Sequence, residues 1–275
     1  MKQILIIIGK EWRDGLRNRW LVATTVLLAA LALTLAFLGS APTGAVKVSA
    51  LSVTIVSLSS LTIFLIPLMA LLLSYDAIVG EIDRGTMALL LTYPVARWQV
   101  VLGKFIGHLA ILLFATVIGY GVAGFAVEWA QGAESGAWAA FAFMIATSAL
   151  LGAVFIAIGY LISTLVGDRG TAGGIAIGVW LFFVLIYDMA LLGGLVADQG
   201  RNVTAQGLNA LLLFNPADVY RLLNLTAMND VGVFAGVAGL SAHAGLAPAT
   251  LIGALLAWIV APLAAAILLF ARRQV

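Results

Sequence analysis

Residues 135–167 read SGAWAAFAFMIATSALLGAVFIAIGYLISTLVG, thirty-three positions without one charged side chain. A helix needs about 20 apolar residues to cross a hydrocarbon layer, and this run exceeds that. A membrane β-strand would alternate polar and apolar positions over about 10 residues, which this run does not do. Since lipid offers no partner for open backbone groups, a helix is what remains. The same reading extends outward to the uncharged runs 20–46, 48–75, 105–127 and 231–271. Composition agrees, with 63% hydrophobic and 9% charged residues and a mean hydropathy of +1.14, against about 25% charge in ordinary soluble domains. A soluble fold is excluded.

Charges and turn residues divide the 275 residues into six spans, near 20–39, 53–79, 99–127, 138–165, 171–197 and 250–271. On one side fall Lys2, Lys10, Arg13, Arg17, Arg19, Arg84, Arg97, Lys104, Arg169, Arg272 and Arg273, and on the other Lys47, Arg201 and Arg221. Positive segments resist translocation, so this asymmetry places both termini in the cytoplasm, as an even number of spans requires. The same asymmetry accounts for the net charge of +2 without a nucleic-acid partner. Cysteine is absent, which removes disulfides, thiolate nucleophiles and thiolate metal ligands.

Residues 1–19 form a separate unit. Ile4, Ile8, Trp12 and Leu16 recur every fourth position while Lys10, Arg13, Asp14 and Arg17 fill the remainder, the pattern of an amphipathic elbow helix in the membrane interface. Between the second and third spans, residues 80–98 begin with charge (Glu81, Asp83, Arg84), reset at Gly85, and continue as a short apolar helix with Thr86 as N-cap and Pro94 as its stop. So short a helix is marginal alone in water, and Met87, Leu90 and Leu91 on one face point to a soluble cytoplasmic partner.

This loop resembles that of the ABC-2-type permeases, which carries an acidic residue, Gly-Thr, an apolar pair, and Pro before a basic residue. Glu81, Gly85-Thr86, Leu89-Leu90, Pro94 and Arg97 hold those places. Lys10-Glu11 and Arg17-Asn18-Arg19 are similar to the elbow of that family, and the likeness spans the six-helix layout as one domain, 1–275. Met87-Ala88 departs from it, since a Leu-Glu pair is frequent there. The resemblance implies that Glu81, Arg84, Gly85, Thr86, Leu90, Pro94 and Arg97 couple the chain to an ATPase subunit. A phosphate-binding loop needs Gly-Lys followed by Ser or Thr, but Gly9-Lys10 precedes Glu11 and Gly103-Lys104 precedes Phe105. ATP and magnesium therefore belong to a separate ATPase dimer, which calls for two copies of this chain. No catalytic residue, resident cofactor or metal site is expected.

Residues 198–249 are too mixed for a span and too long for a turn. Asn215-Pro216-Ala217-Asp218 is a strong helix start, followed by Val219, Leu222 and Leu223 as an apolar stripe beside Tyr220 and Arg221. The expectation is a helix on the outer membrane surface, with Asn215, Pro216, Asp218, Tyr220 and Arg221 docking an extracytoplasmic protein. Within the ABC-2 family, residues 215–223 and the chain as a whole are similar to permeases serving copper-centre assembly of nitrous oxide reductase. That implies the inner membrane of a denitrifying bacterium, a periplasmic β-helical partner that holds the copper, and room for a copper chaperone. Export of a sulfur species or another small solute stays open.

Asp76 and Asp188 are the intramembrane polar candidates, because a charge at helix centre costs roughly 2.5–3.5 kcal/mol to insert. Asp76 lies near enough to the boundary to meet water or Arg84, whereas Asp188 either works inside the fifth span or sits near its outer end. A proton-coupled secondary transporter would use both as a relay, but the inverted repeats or broken helices of that class are not visible. Met69, Met144, Met189 and His108 are too scattered for a copper(I) path, and Gly103-x-x-x-Gly107 reads as close packing within a protomer. A shift at the loop is expected to reach the outer segment through the fifth and sixth spans.

Overall fold

The computed structural model describes residues 2–38, 50–131, 137–198, 204–227 and 246–273. Lys47, Arg201, His243 and residues 228–245 of the outer segment lie outside the described residues. All regular structure among the described residues is helical: α1 Lys2–Arg17, α2 Arg19–Leu38, α3 Ala50–Ser74, α4 Val79–Asp83, α5 Thr86–Leu91, α6 Arg97–Gln131, α7 Ala137–Leu165, α8 Arg169–Leu181, a π-helical turn Phe182–Ile186, α9 Tyr187–Asp198, α10 Ala205–Leu213, α11 Pro216–Ala227 and α12 Pro248–Arg272. Among the described residues five stretches are long and apolar enough to cross a membrane, and α1 with α2, bent by 67°, would make a sixth if the pair is one span.

The expected spans coincide with α2, α3, α6, α7, α8–α9 and α12 to within a few residues. The second is the exception, for its helix stops at Ser74 rather than 79. The chain turns there because Ala77 N–H closes onto the Ser74 carbonyl, and the N–H groups of Ile78 and Val79 go instead to the Ser163 hydroxyl, both at 3.0 Å.

α7 is the centre of the protomer. Every residue from Leu151 to Tyr160 is buried, which is what a helix apolar all round requires. It packs against α3, α12, α6 and α11. α1 lies along α6 because Gly103 and Gly107 leave room for it: a Cβ on Gly103 would stand 3.0 Å from Ile7 and one on Gly107 2.7 Å from Glu11. The small-residue pair thus seats the amphipathic helix and not another span.

The largest departure from expectation is α11. It is packed against α12, α7 and α3, with Ala217, Val219, Tyr220, Leu222 and Leu223 all buried. The stripe that suggested a surface helix faces the bundle, since the polar atoms of Tyr220 and Asn224 find partners on α7.

Candidate functional site

Beneath the loop joining α3 to α6 lies a buried ionic cluster. Glu81 is bound by Lys104 at 2.8 Å and Lys10 at 3.2 Å, and Glu11 by Lys104 at 2.8 Å, Lys10 at 3.2 Å and His108 Nε2 at 3.3 Å. His108 Nδ1 meets the Tyr160 hydroxyl at 3.0 Å. Burial would raise the Glu11 carboxyl, but the His108 hydrogen bond and the Lys104 charge outweigh it and hold the group well below the usual carboxylate range. Burial lowers the Lys10 ammonium, yet Glu11 and Glu81 raise it further, for a net upward shift. The cluster lines a cleft of about 320 Å³ with Asp14, Asp76 and Arg84 at its edge. Glu81, Arg84 and Asp76 of these were site expectations, whereas Lys10, Glu11, Lys104 and His108 were not. Lys104 and His108 stand one helical turn apart on α6, a polar pair in an apolar run, which is the signal that marks the rest.

The loop itself differs in detail from expectation. Gly85 takes a left-handed conformation (φ 70°) at the N-cap position, with no side-chain cap, so Thr86 is the first helical residue and not the cap. Its hydroxyl donates backward to the Glu81 carbonyl at 3.1 Å. Met87, Leu90 and Leu91 do share a face, but that face packs on the core, with Met87 fully buried. The residues left outside are Leu89, 66% exposed, with Tyr93 and Trp98. Pro94 is exposed and its carbonyl accepts from Gln3 Nε2 at 2.7 Å.

Arg97 reaches away from the loop. Its guanidinium donates to the carbonyls of Phe270 (2.8 Å), Ala271 (3.3 Å) and Arg273 and lies over the Phe270 ring, closing the C-terminal end of α12. Asp76 pairs with Arg169 at 2.8 Å rather than with Arg84, which is exposed. That pair ties the end of α3 to the start of α8.

At the opposite end, α11 is anchored by polar contacts. Asn215 caps it through Ala217 N–H at 3.0 Å, and its amide donates to Asp218 and to the Phe183 carbonyl, both at 3.0 Å. Phe183 belongs to the π-helical turn. Arg221 bridges Asp218 at 2.6 Å and Asp188 at 2.9 Å, so Asp188 is one arm of an ion triad. Burial pushes the Asp218 carboxyl up to about 7, against the pull of Arg221 and with the help of Asp188. Deeper in the bundle, Tyr220 meets Ser148 at 3.2 Å, and Asn224 exchanges hydrogen bonds with Thr147 at 3.1 and 3.2 Å. The expectation of an exposed Tyr220 is therefore corrected, since the ring is fully buried, as are Asn215, Pro216 and Asp218.

Met144 lies in a core with Tyr120 and Phe141, Met69 packs beside Leu71 and Ile66, and Met189 is 73% exposed. Among the described residues no group of three or more His, Asp or Glu side chains is placed to hold a metal.

Comparison with known proteins gives a consistent result. The family described as ABC-2 family transporter protein matches residues 5–275. The chain is 47% identical, over 99% of both chains, to a probable ABC transporter permease protein NosY of Stutzerimonas stutzeri. It is 44% identical, over the full length of both, to a protein of the same description from Pseudomonas aeruginosa PAO1.

Proposed function

We propose, because this chain belongs to the ABC-2 transporter family and is a non-catalytic, multi-pass permease subunit, that it couples a cytoplasmic ATPase to an extracytoplasmic partner during copper-centre assembly of nitrous oxide reductase. In this reading two copies sit in the inner membrane of a bacterium with both termini in the cytoplasm. The loop 80–98 receives a NosF-like ATPase dimer, which holds ATP and magnesium. The segment 198–249 engages a NosD-like periplasmic β-helical protein, which holds the copper and hands it on, with a chaperone as its source. The names of the full-length relatives support the assignment to this machinery.

The observation that carries the coupling is the exposed apolar set Leu89, Tyr93 and Trp98 standing on a loop that is braced from below by the Glu81–Lys104–Glu11 cluster. An apolar residue presented to water from a braced loop suits a groove on a soluble subunit. The buried anchor of α11 serves the outer end as a framework, so docking there falls to residues around it. Co-purification of the ATPase with the Leu89→Glu chain tests the reading. The expected result is loss of the ATPase with membrane insertion intact. A stoichiometric complex with that variant would defeat the assignment of this surface.

A further inference from the structure

α7 is tied directly to both working ends of the chain. At one end Ser163 is fully buried, and its hydroxyl accepts the N–H groups of Ile78 and Val79, each at 3.0 Å. These are donors at the start of α4 that an N-terminal helix turn leaves without an internal partner. A side chain 84 residues away along the chain therefore does the work of a cap for the first helix of the loop. At the other end, Thr147 and Ser148 bind Asn224 and Tyr220 of α11. The two attachment points are separated by 15 or 16 residues of one helix, about 23 Å at helical rise.

What lies between them is stiff. No proline interrupts α7 and residues 151–160 are buried on every side. The other spans packed on α11 each carry an interruption: α3 contains Pro67, α12 contains Pro262, and the α8–α9 span contains the π-helical turn. Kinks of these kinds absorb displacement, whereas a straight, close-packed helix passes it on. The loop end of α7 is also held from α12, since Arg273 donates to the carbonyls of Ser163, Thr164 and Val166. A movement of the loop therefore reaches the helix through short hydrogen bonds in a dry environment.

We propose that α7, the fourth span, is the element that transmits movement between the loop and the outer segment, with Ser163 the positioning residue at one end and Thr147 and Ser148 at the other. The inference rests on the coupling function proposed above and replaces the fifth and sixth spans as its route. When the ATPase draws the start of α4 inward or outward, the Ser163 hydroxyl carries α7 with it, and the Tyr220 and Asn224 contacts shift α11. Coupling between two sites is reciprocal, so the outer partner bound to α11's surroundings acts back on the ATPase by the same factor.

The test uses the permease reconstituted in lipid nanodiscs with its ATPase and the purified β-helical partner. Partner Kd is measured without nucleotide and with a non-hydrolysable ATP analogue, and the ratio of the two values is the readout. In the native chain this ratio departs from one by fivefold or more, the usual range for allosteric coupling. In Ser163→Ala and in Thr147→Val/Ser148→Ala the complex still assembles, but the ratio falls to within twofold of one. Ser163→Thr, which keeps the hydroxyl, retains it. A role in folding alone would lower the yield of complex and leave the ratio unchanged. Should Ser163→Ala fail to fold, Tyr220→Phe removes the hydroxyl that meets Ser148, and the same collapse is expected. A native-like ratio in the assembled variants overturns this inference while the coupling function stands. A ratio of one in the native complex overturns both.

Discussion

Replacing Lys104 with Met is the sharpest probe of the cluster beneath the loop. The Lys104 side chain is 4% exposed and lies 2.8 Å from Glu11 and 2.8 Å from Glu81, carboxylates that are themselves 9% exposed. Methionine fills nearly the same volume, so packing is kept and the charge alone is lost. Removing one member of a buried ion pair costs about 3–5 kcal/mol, because the partner is left charged and desolvated. Lys10 remains at 3.2 Å from both acids, but it is half exposed and shared between them, so the loss stays in that range. On a chain of this size that is a fall in melting temperature on the order of 10 °C.

The pH dependence gives the sign. In the native chain Glu11 is held below its unfolded value, so its contribution to stability is present above the unfolded carboxylate range and disappears as pH falls through the folded one. In Lys104→Met that contribution is reduced to what His108 and Lys10 still supply. The gap between native and variant melting temperatures is therefore widest near pH 7 and narrows only as pH drops below the usual carboxylate range, where Glu11 protonates in the native chain. Adding Glu11→Gln and Glu81→Gln to the variant removes the uncompensated charges and restores most of the lost stability. Melting curves in detergent between pH 2 and pH 8 measure this. A gap that stays constant with pH, or a triple variant no better than the single, would show that the cluster acts through packing and not charge.

Three further outcomes follow from the geometry. Gly107→Leu drives a side chain into Glu11 and should cost about 1–3 kcal/mol by overpacking, with increased protease cleavage between α1 and α2 as its sign. Arg97→Ala uncaps three carbonyls of α12, and amide hydrogen exchange at residues 268–273 should rise several-fold. Met189→Leu, on an exposed side chain, should leave copper loading of the reductase within twofold of native in a complementation assay, and a complete loss would restore the case for a ligand path through this chain.

The six spans are legible because hydrocarbon imposes one demand that local sequence must meet, and the demand appears as long uncharged runs. Direction is harder to read than pattern. Met87, Leu90 and Leu91 do form one face of α5 and Val219, Leu222 and Leu223 one stripe of α11, but a stripe says that a helix buries something, not against what. On α5 the answer is the protein's own core, which leaves Leu89 outside. On α11 it is α7, α12 and α3, and what permits it is a pair of hydroxyls, Thr147 and Ser148, 72 to 77 residues away along the chain. Partners so distant cannot be paired from one sequence. The same reason moves Asp76 from the nearby Arg84 to Arg169, 93 residues on, and hides Ser163 altogether, one hydroxyl among many in apolar helices.

The residues that carry the family resemblance in the loop also acquire a physical role from their surroundings. Glu81 anchors the loop to lysines of α1 and α6. Gly85 takes a left-handed turn that a side chain would strain, and Thr86 donates back to the Glu81 carbonyl. Pro94 presents its carbonyl to Gln3 of α1, and Arg97 closes the end of α12. Glu81, Pro94 and Arg97 fix the loop to neighbouring helices while Gly85 and Thr86 shape it from within, so that a six-residue helix too short to persist alone is held in place. A push on Leu89 would then bear on the helices that hold the loop, with α7 proposed to carry it outward, which is what a subunit needs if it is to turn contact with a soluble ATPase into movement of a whole bundle.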